Sequence, residues 1–258
     1  MAIINLTPDS FYDGGRYGNV KDVLLDAEQK INSGASILDL GAASSRPGAP
    51  EITEEEEWKR LEPVLSAIRN QFPATFISID TYRSDIALKA ASAGADIIND
   101  ISGGNFDKNM FAVIAKLQLP YILMHIQGTP QNMQKDPTYS NVVAEVMEAF
   151  QQKTEELKLL GFHKIILDPG FGFGKNTDHN FQLLKHIGVF VEAGYPMLAG
   201  ISRKSMINKV IKTNPVTSLN GTTVLNTIAL LNGASVLRVH DVTEAMQAID
   251  LVEYYKKA

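Results

Sequence analysis

The chain of 258 residues contains no cysteine. This absence excludes disulfide bridges, thiolate zinc sites, iron–sulfur clusters and cysteine nucleophiles. Long apolar runs are also missing, because no stretch approaches the roughly 18 residues of a membrane-spanning helix. The first residues reach Asp9 before the apolar core of a signal peptide could form. We therefore expect a cytoplasmic protein that has no membrane partner.

Positive charge is scarce as well. The chain has 24 lysines and arginines against 29 acidic residues, which gives a formal net charge of −5. This balance argues against a broad nucleic-acid surface, so we expect small molecules and no nucleic acid as partners. An anionic ligand would have to be held by a local cluster of cations.

The fold class follows from the spacing of apolar residues. Short runs rich in Ile, Val and Leu alternate with longer stretches of helical periodicity, which indicates βα units on a parallel sheet. The candidate strands are residues 2–6, 36–40, 75–79, 96–99, 121–125, 164–167, 196–199 and 235–239. Since about 250 residues suit one closed α/β unit, we predict the α/β class and a single-domain (β/α)₈ TIM barrel over residues 1–258.

Two polar, glycine-rich segments are longer than the usual loops of such a fold. They are residues 7–19, after the first strand, and residues 41–52, after the second. Both follow the carboxyl ends of strands, which form the catalytic face of a barrel. We therefore expect both loops to border the functional site.

Polar side chains follow the candidate strands around the whole barrel. They are Asn5, Asp39, Asp80, Asn99, Asp100, His125, Asp168, Ser202, Arg203, Lys204, Arg238 and His240. Helix capping is an equally good interpretation for Asp39 and Asp100. Capping does not explain Lys204, Arg238 and His240 at the same end, so we predict a functional site there.

The strand-end residues form two chemical groups. The carboxylates and the amide of Asp80, Asn99 and Asp168 suit a flat heterocycle that carries amino, ring N–H and carbonyl groups. A cationic group suits phosphate or diphosphate; it comprises Ser45, Arg46, Lys204, Arg238 and His240. The alternative, that each cation pairs with a neighbouring aspartate, stays open from sequence alone.

Taken together, the motifs resemble those of the dihydropteroate synthases, a folate-pathway family. The motifs are NLTPDSF (5–11), DGG (13–15), SSRPG (44–48), IDT (79–81), INDI (98–101), MH (124–125), LDPGFGFGK (167–175), SRKS (202–205) and RVHDV (238–242). They follow in the family's order from Asn5 to Val242. The resemblance thus covers nearly the whole chain.

The resemblance implies a transferase of folate biosynthesis. Such an enzyme joins 4-aminobenzoate to 6-hydroxymethyl-7,8-dihydropterin diphosphate and releases 7,8-dihydropteroate and diphosphate. The resemblance also implies Mg²⁺ as the cofactor, a homodimer, and a dissociative, SN1-like substitution without a strong general base. A reactive cation must be kept from water, so we predict that residues 7–19 and 41–52 close as lids around the second substrate. Sulfonamides target this family, and sensitivity would depend on the loops around Pro47 and Phe171.

Site roles come from the same resemblance, residue by residue. It assigns Asp80, Asn99, Asp168 and Lys204 to the pterin, and Asn5, Ser45, Arg46, Arg238 and His240 to diphosphate, with Mg²⁺ at Asn5. It assigns Pro47, Phe171, Lys204 and Ser205 to 4-aminobenzoate. The catalytic residues would be Lys204, Arg46, Asp80 and Asp168.

Two other functions are compatible with a pterin pocket. A pterin-dependent methyltransferase on the same barrel would have no diphosphate to hold, so the cationic runs around Arg46 and Lys204 argue against it. A non-catalytic pterin carrier would need neither lids nor the cationic group. Tight pterin binding without turnover would favour the carrier.

Overall fold

The computed structural model describes residues 1–6, 19–44 and 51–258. In these ranges the strands are β1 (Ala2–Asn5), β2 (Ile37–Gly41), β3 (Phe76–Asp80), β4 (Ile97–Asp100), β5 (Tyr121–Met124), β6 (Ile165–Asp168), β7 (Leu198–Ala199) and β8 (Val236–Leu237). Every predicted strand occurs, with ends shifted by at most two residues. Most of the two predicted lids, residues 7–18 and 45–50, lies outside the described residues.

Helices connect the strands and cover the outside of the sheet. They are α1 (Val20–Asn32), α2 (Glu54–Gln71), α3 (Ser84–Ser92), α4 (Met110–Leu117), α5 (Val142–Leu159), α6 (Thr177–Lys185), α7 (Ile187–Val191), α8 (Ser205–Ile211), α9 (Leu219–Leu231) and α10 (Val242–Lys257). Local chemistry sets several starts: Asn19 accepts hydrogen bonds from two backbone N–H groups of α1, and Thr53 accepts one from Glu56 in α2. Of the helices described, none has the length and apolar character needed to cross a membrane.

The strands form a closed parallel barrel. Strands β1 to β6 pair in chain order, and β7 pairs with β8. Single bridges join Leu167 to Met197 and Ala2 to Val239, which links β6 to β7 and the end of β8 to β1. The predicted (β/α)₈ barrel is confirmed. Because all its strands are parallel, their carboxyl ends meet on one face.

Side chains alternate between the inside and outside of the barrel. A buried apolar cluster of Ile97, Ile122 and Leu198, together with the partly buried Ile37, Ile166 and Val236, fills the inside. Two residues further along the same strands or their ends come Asp39, Asn99, Asp168 and Arg238. The barrel therefore has an apolar floor beneath a polar layer, and the larger apolar core lies between the strands and the helices.

Candidate functional site

Arg238, just after β8, lies between two carboxylates. Its Nε donates to Asp39 Oδ2 at 2.6 Å, and one terminal nitrogen donates to Asp80 Oδ2 at 2.8 Å. Burial alone would lower the pKa of Arg238, but Asp39 and Asp80 raise it above its ordinary value. The guanidinium thus stays charged inside the barrel mouth. The sequence left open whether each cation pairs with neighbouring aspartates, and the structure shows such pairing for Arg238.

Asp39 is fully buried in β2 and belongs to the site. It accepts a hydrogen bond from Ser78 Oγ at 2.6 Å and contacts Asn99 Nδ2 at 3.3 and 3.4 Å. The capping interpretation is therefore wrong for Asp39. Asp100 does have a structural role, because it accepts hydrogen bonds from the hydroxyl of Tyr121 and from two backbone N–H groups of the following turn.

The three residues predicted to bind a heterocycle lie on adjoining parts of the barrel mouth. Asp80 and Asn99 are paired in the register of β3 and β4, and Asp168 ends β6. Burial raises the pKa of Asp80 to about 7, with Arg238 opposing the shift. Burial also raises the pKa of Asp168, against the effect of Lys204. Neither carboxylate is well solvated, so a cationic ligand would favour their ionised forms.

An apolar cluster lies on the same face of the barrel. The buried side chains of Ile101, Met124, Ile126 and Met133 pack with the partly buried Tyr82, Phe106 and Phe173. A cavity of about 200 Å³ borders this cluster and is lined by Asp80 together with Ile101 and Phe106, whereas Asn99 and Asp168 lie outside its lining. A flat ring with a polar edge fits this combination, because the edge meets the carboxylate while the faces meet apolar side chains.

Lys204 reaches the site from the residue before α8. Its Nζ donates to the carbonyl oxygen of Phe171 at 2.5 Å and lies 4.6 Å from the centroid of the Phe173 ring. Burial lowers the pKa of Lys204 to about 8, while the charge of Asp168 opposes that shift. Near neutral pH the ammonium is therefore charged but can lose its proton more readily than an exposed lysine.

The residues predicted to bind 4-aminobenzoate differ in their burial and do not all face the site. The ring of Phe171 is fully buried in the core, so this side chain does not line a pocket and only its carbonyl faces Lys204. The ring near Lys204 belongs to Phe173, which the sequence reasoning missed. Ser205 is exposed at the start of α8. Alternation would place both phenylalanines on the same side, because they are two residues apart. The turns of this loop separate them, and no local signal in the sequence shows which ring lies at the site.

His240, in the motif after β8, lies beside Ser202. Its backbone N–H donates to Ser202 Oγ at 3.2 Å, and its Nδ1 lies 3.0 Å from the same oxygen. Burial, together with the positive charge of Arg238, lowers the pKa of His240 to about 3. These surroundings favour the neutral ring, which can donate one hydrogen bond. The assignment of His240 to the diphosphate stays a prediction.

Of the remaining predicted site residues, some lie within the described ranges of the structure and others lie outside them. Asn5 is half-buried at the end of β1, in register with Gly41 of β2, which in turn pairs with Asp80. Ser45, Arg46 and Pro47 lie outside the described residues, so their roles stay predictions. Arg203 has a structural role, because it holds both carboxylate oxygens of Asp241 at 2.7 and 2.8 Å.

Known proteins resemble this chain over almost its full length. It matches the family described as pterin binding enzyme over residues 1–240. A dihydropteroate synthase of Haemophilus influenzae is 43% identical over 244 residues, covering 94% of this chain and 88% of that protein. The chain belongs to the dihydropteroate synthase family. The resemblance found in the sequence motifs is thereby confirmed.

Solved structures of the dihydropteroate synthase family share the fold. That of Yersinia pestis, in a complex with a sulfonamide drug, is 40% identical, covers 100% of this chain and 94% of its own, and has a TM-score of 0.96. That of Xanthomonas albilineans, with 4-aminobenzoic acid, is 35% identical with coverages of 100% and 93% and a TM-score of 0.92. These likenesses agree with the barrel described above.

Proposed function

We propose that this chain joins 4-aminobenzoate to 6-hydroxymethyl-7,8-dihydropterin diphosphate, releasing 7,8-dihydropteroate and diphosphate. The main support for the proposal is one observation. This chain belongs to the family, and its Asp80, Asn99 and Asp168 lie together at the mouth of the barrel. The charged groups of Arg238 and Lys204 lie beside them, so hydrogen-bond acceptors for a heterocycle are next to cations. That combination suits a pterin bearing an anionic leaving group.

The pterin would bind by its donor edge. Its 2-amino group and ring N–H are donors, and the carboxylates of Asp80 and Asp168 are acceptors. Lys204 would donate to an acceptor on the pterin ring, since its ammonium is close enough to Asp168 for each group to affect the pKa of the other. The ring faces would then contact apolar side chains such as Ile101 and Met124, which are buried on this face.

The substitution is proposed to be dissociative. The C–O bond to diphosphate breaks first, and its electron pair leaves with the diphosphate. The exocyclic carbon becomes a cation that is delocalised into the dihydropterin, and the negative charges of Asp80 and Asp168 stabilise it. The arylamine nitrogen then forms the C–N bond and loses a proton to solvent. A neutral arylamine is already nucleophilic, so no strong base is required.

The leaving diphosphate would be held by several weak contacts. The neutral ring of His240 can donate one hydrogen bond, and Ser45 and Arg46 are assigned there from the motifs. Arg238 has five N–H donors, and the two aspartates of the described site take two of them. Arg238 would therefore bridge Asp80, which is assigned to the pterin, and a phosphate oxygen.

Mg²⁺ is proposed at Asn5. Within residues 1–6, 19–44 and 51–258, no three acidic or histidine side chains cluster in a way that could hold a metal. This fits a magnesium ion that takes one or two protein oxygens and completes its shell with water and substrate phosphates. The amide oxygen of Asn5 is a suitable ligand. When bound, the ion would stabilise negative charge on the leaving group.

We also propose a homodimer formed through α9 and α10. The exposed residues Val224, Ile228 and Leu231 are spaced by four and three along α9, so they share one helix face. Leu251 and Tyr254 of α10 are 72% and 77% exposed. An exposed apolar stripe on a helix indicates a protein interface, and α10 packs against α9. A second copy fits because two-fold pairing buries the same patch on both subunits.

The test is product formation by the purified chain. Both substrates are supplied, and dihydropteroate and diphosphate are measured with Mg²⁺ and after its removal by a chelator. We expect dihydropteroate only when both substrates are present, with loss of activity on chelation and competition between a sulfonamide and 4-aminobenzoate. Pterin binding without product would favour a carrier, and methyl transfer would favour the methyltransferase.

A further inference from the structure

We propose that Asp39 is a positioning residue, which fixes the orientation of Asn99 and Arg238 and so decides which hydrogen-bonding edge the pocket accepts. The proposal rests on the pterin chemistry of the proposed function and deepens it. Asp39 would not touch the ligand. It acts through the two side chains that do.

Asp39 is a fully buried hub, meaning that three other side chains hydrogen-bond to its one carboxylate. Its side chain is 0% exposed. Ser78 Oγ donates to Oδ1 at 2.6 Å, Arg238 Nε donates to Oδ2 at 2.6 Å, and Asn99 Nδ2 lies 3.3 and 3.4 Å from the two oxygens. A buried carboxylate with three donors around it is held in one orientation, because rotation of the carboxylate would give up these hydrogen bonds where no water can replace them.

The orientation of Asn99 follows from this hub. An ionised carboxylate only accepts hydrogen bonds, so the Asn99 atom beside Asp39 is the amide nitrogen. The carbonyl oxygen of Asn99 is then on the other side of its planar amide and is available as an acceptor. With Asp80 and Asp168, the pocket would present three acceptors. A ligand edge built from donors, such as the amino and ring N–H groups of a pterin, matches that set.

The orientation of Arg238 depends on the same carboxylate. Asp39 takes Nε, and the planar guanidinium then directs a terminal nitrogen to Asp80 Oδ2 at 2.8 Å. This arrangement partly neutralises Asp80 from one side. If Asp39 lost its charge, Arg238 would have only Asp80 as a close partner in the described site and could shift toward it.

A purely structural role for Asp39 makes a different prediction. Loss of a buried ion pair lowers stability and weakens every ligand of a distorted pocket to a similar extent. Loss of a positioning contact changes which ligand is preferred, because an Asn99 amide that can rotate offers either its oxygen or its nitrogen. Ligand preference therefore separates the two roles.

The experiment compares Asp39→Asn with Asp100→Asn. Both remove the charge of a fully buried strand aspartate, but Asp100 contacts the Tyr121 hydroxyl and backbone N–H groups of the following turn rather than Asn99 or Arg238. Binding of 6-hydroxymethylpterin and of the matching lumazine, in which a carbonyl replaces the 2-amino group, is measured by calorimetry. We expect the preference for the pterin to fall by about tenfold or more in Asp39→Asn and to be kept in Asp100→Asn.

Several outcomes would overturn the proposal. They are an unchanged preference in Asp39→Asn, an equal weakening of both ligands, or the same loss of preference in Asp100→Asn. If Asp39→Asn does not fold, Ser78→Ala removes one donor to Asp39 and should lower the preference to a smaller extent. An unchanged preference there would count equally against the proposal.

A ligand-free measurement separates this proposal from the proposed function. The side-chain amide of Asn99 is followed by ¹⁵N nuclear magnetic resonance, and its proton exchange is compared between the wild type and Asp39→Asn. We expect slower exchange in the wild type. If the wild type shows that protection but binds no pterin and makes no product, the proposed function fails while the positioning of Asn99 stands. Equal exchange in both proteins would refute the positioning.

Discussion

Lys175 Nζ lies 3.0 Å from His125 Nδ1, which joins the loop after β6 to the end of β5. The same ammonium donates to the carbonyl oxygens of His125 and Phe173 at 3.2 and 2.9 Å. When Lys175 is charged it can only donate, so Nδ1 of His125 then accepts and the ring proton is on Nε2. Burial, helped by Lys175, lowers the pKa of His125 to about 3. The loop that carries Phe173 is therefore anchored by a buried lysine.

Replacing this cation should change how stability depends on pH. Burial lowers the pKa of Lys175 from 10.5 to about 7, with Asp168 opposing. Between these values the unfolded chain binds more protons than the folded one, so the free energy of unfolding rises with pH. Relative to Lys175→Met, the wild type should gain up to about 1.4 kcal/mol per pH unit over this range. Urea unfolding at pH values between about 7 and 10 measures the difference.

The control for this prediction is Lys116→Met. Lys116 is exposed on α4, so its replacement should leave the pH dependence of unfolding parallel to that of the wild type. A difference between the wild type and Lys175→Met that stays constant with pH would show that Lys175 is not desolvated in the folded protein.

Turnover should fall as the pH drops through about 7. Burial raises the pKa of Asp80 to about that value, with Arg238 opposing the shift. Protonation below this pKa removes the negative charge that is proposed to stabilise the pterin cation. We expect kcat/KM to decrease by about tenfold per pH unit on the acidic side. The acidic limb should be absent in Asp80→Asn, whose activity should be low at every pH; the same limb in both proteins would assign it to another group.

Arg46→Ala should lower turnover strongly while the barrel stays folded. The motif SSRPG assigns Arg46 to the diphosphate, and a lost charge contact to a leaving group costs about a hundredfold in kcat. Steady-state kinetics give the rate, and circular dichroism reports the fold. Lys59→Ala, which removes a positive charge from an exposed position on α2, should keep wild-type kinetics. Unchanged kinetics in Arg46→Ala would reject the assignment.

A charge within the proposed dimer face should separate the subunits. Ile228→Glu places a carboxylate between Val224 and Leu231 on α9, where burial in a dimer would leave it unpaired. Sedimentation is expected to give a dimer for the wild type and a monomer for this variant. Leu159→Glu changes an exposed apolar residue at the end of α5, and this variant should remain dimeric. A monomeric wild type would contradict the interface.

The sequence alone determined the barrel and its functional face. Strand positions could be predicted to within two residues because apolar runs between glycine and polar turns are local signals, and parallel strands bring their ends together without further information. The motifs also indicated the family. Asp80, Asn99 and Asp168 needed only their position after a strand to be singled out as site candidates.

Tertiary structure decided what these side chains do to one another. Asp39 and Arg238 are 199 residues apart and meet only because β8 closes against β1. The same closure buries His240 and lowers its pKa, which no local pattern reports. Packing also determines that the ring of Phe173 lies at the site, whereas the ring of Phe171 is buried in the core. Charge pairing and desolvation depend on neighbours that are distant in sequence. The sequence could therefore indicate the site residues but not which of them form ion pairs or lose contact with water.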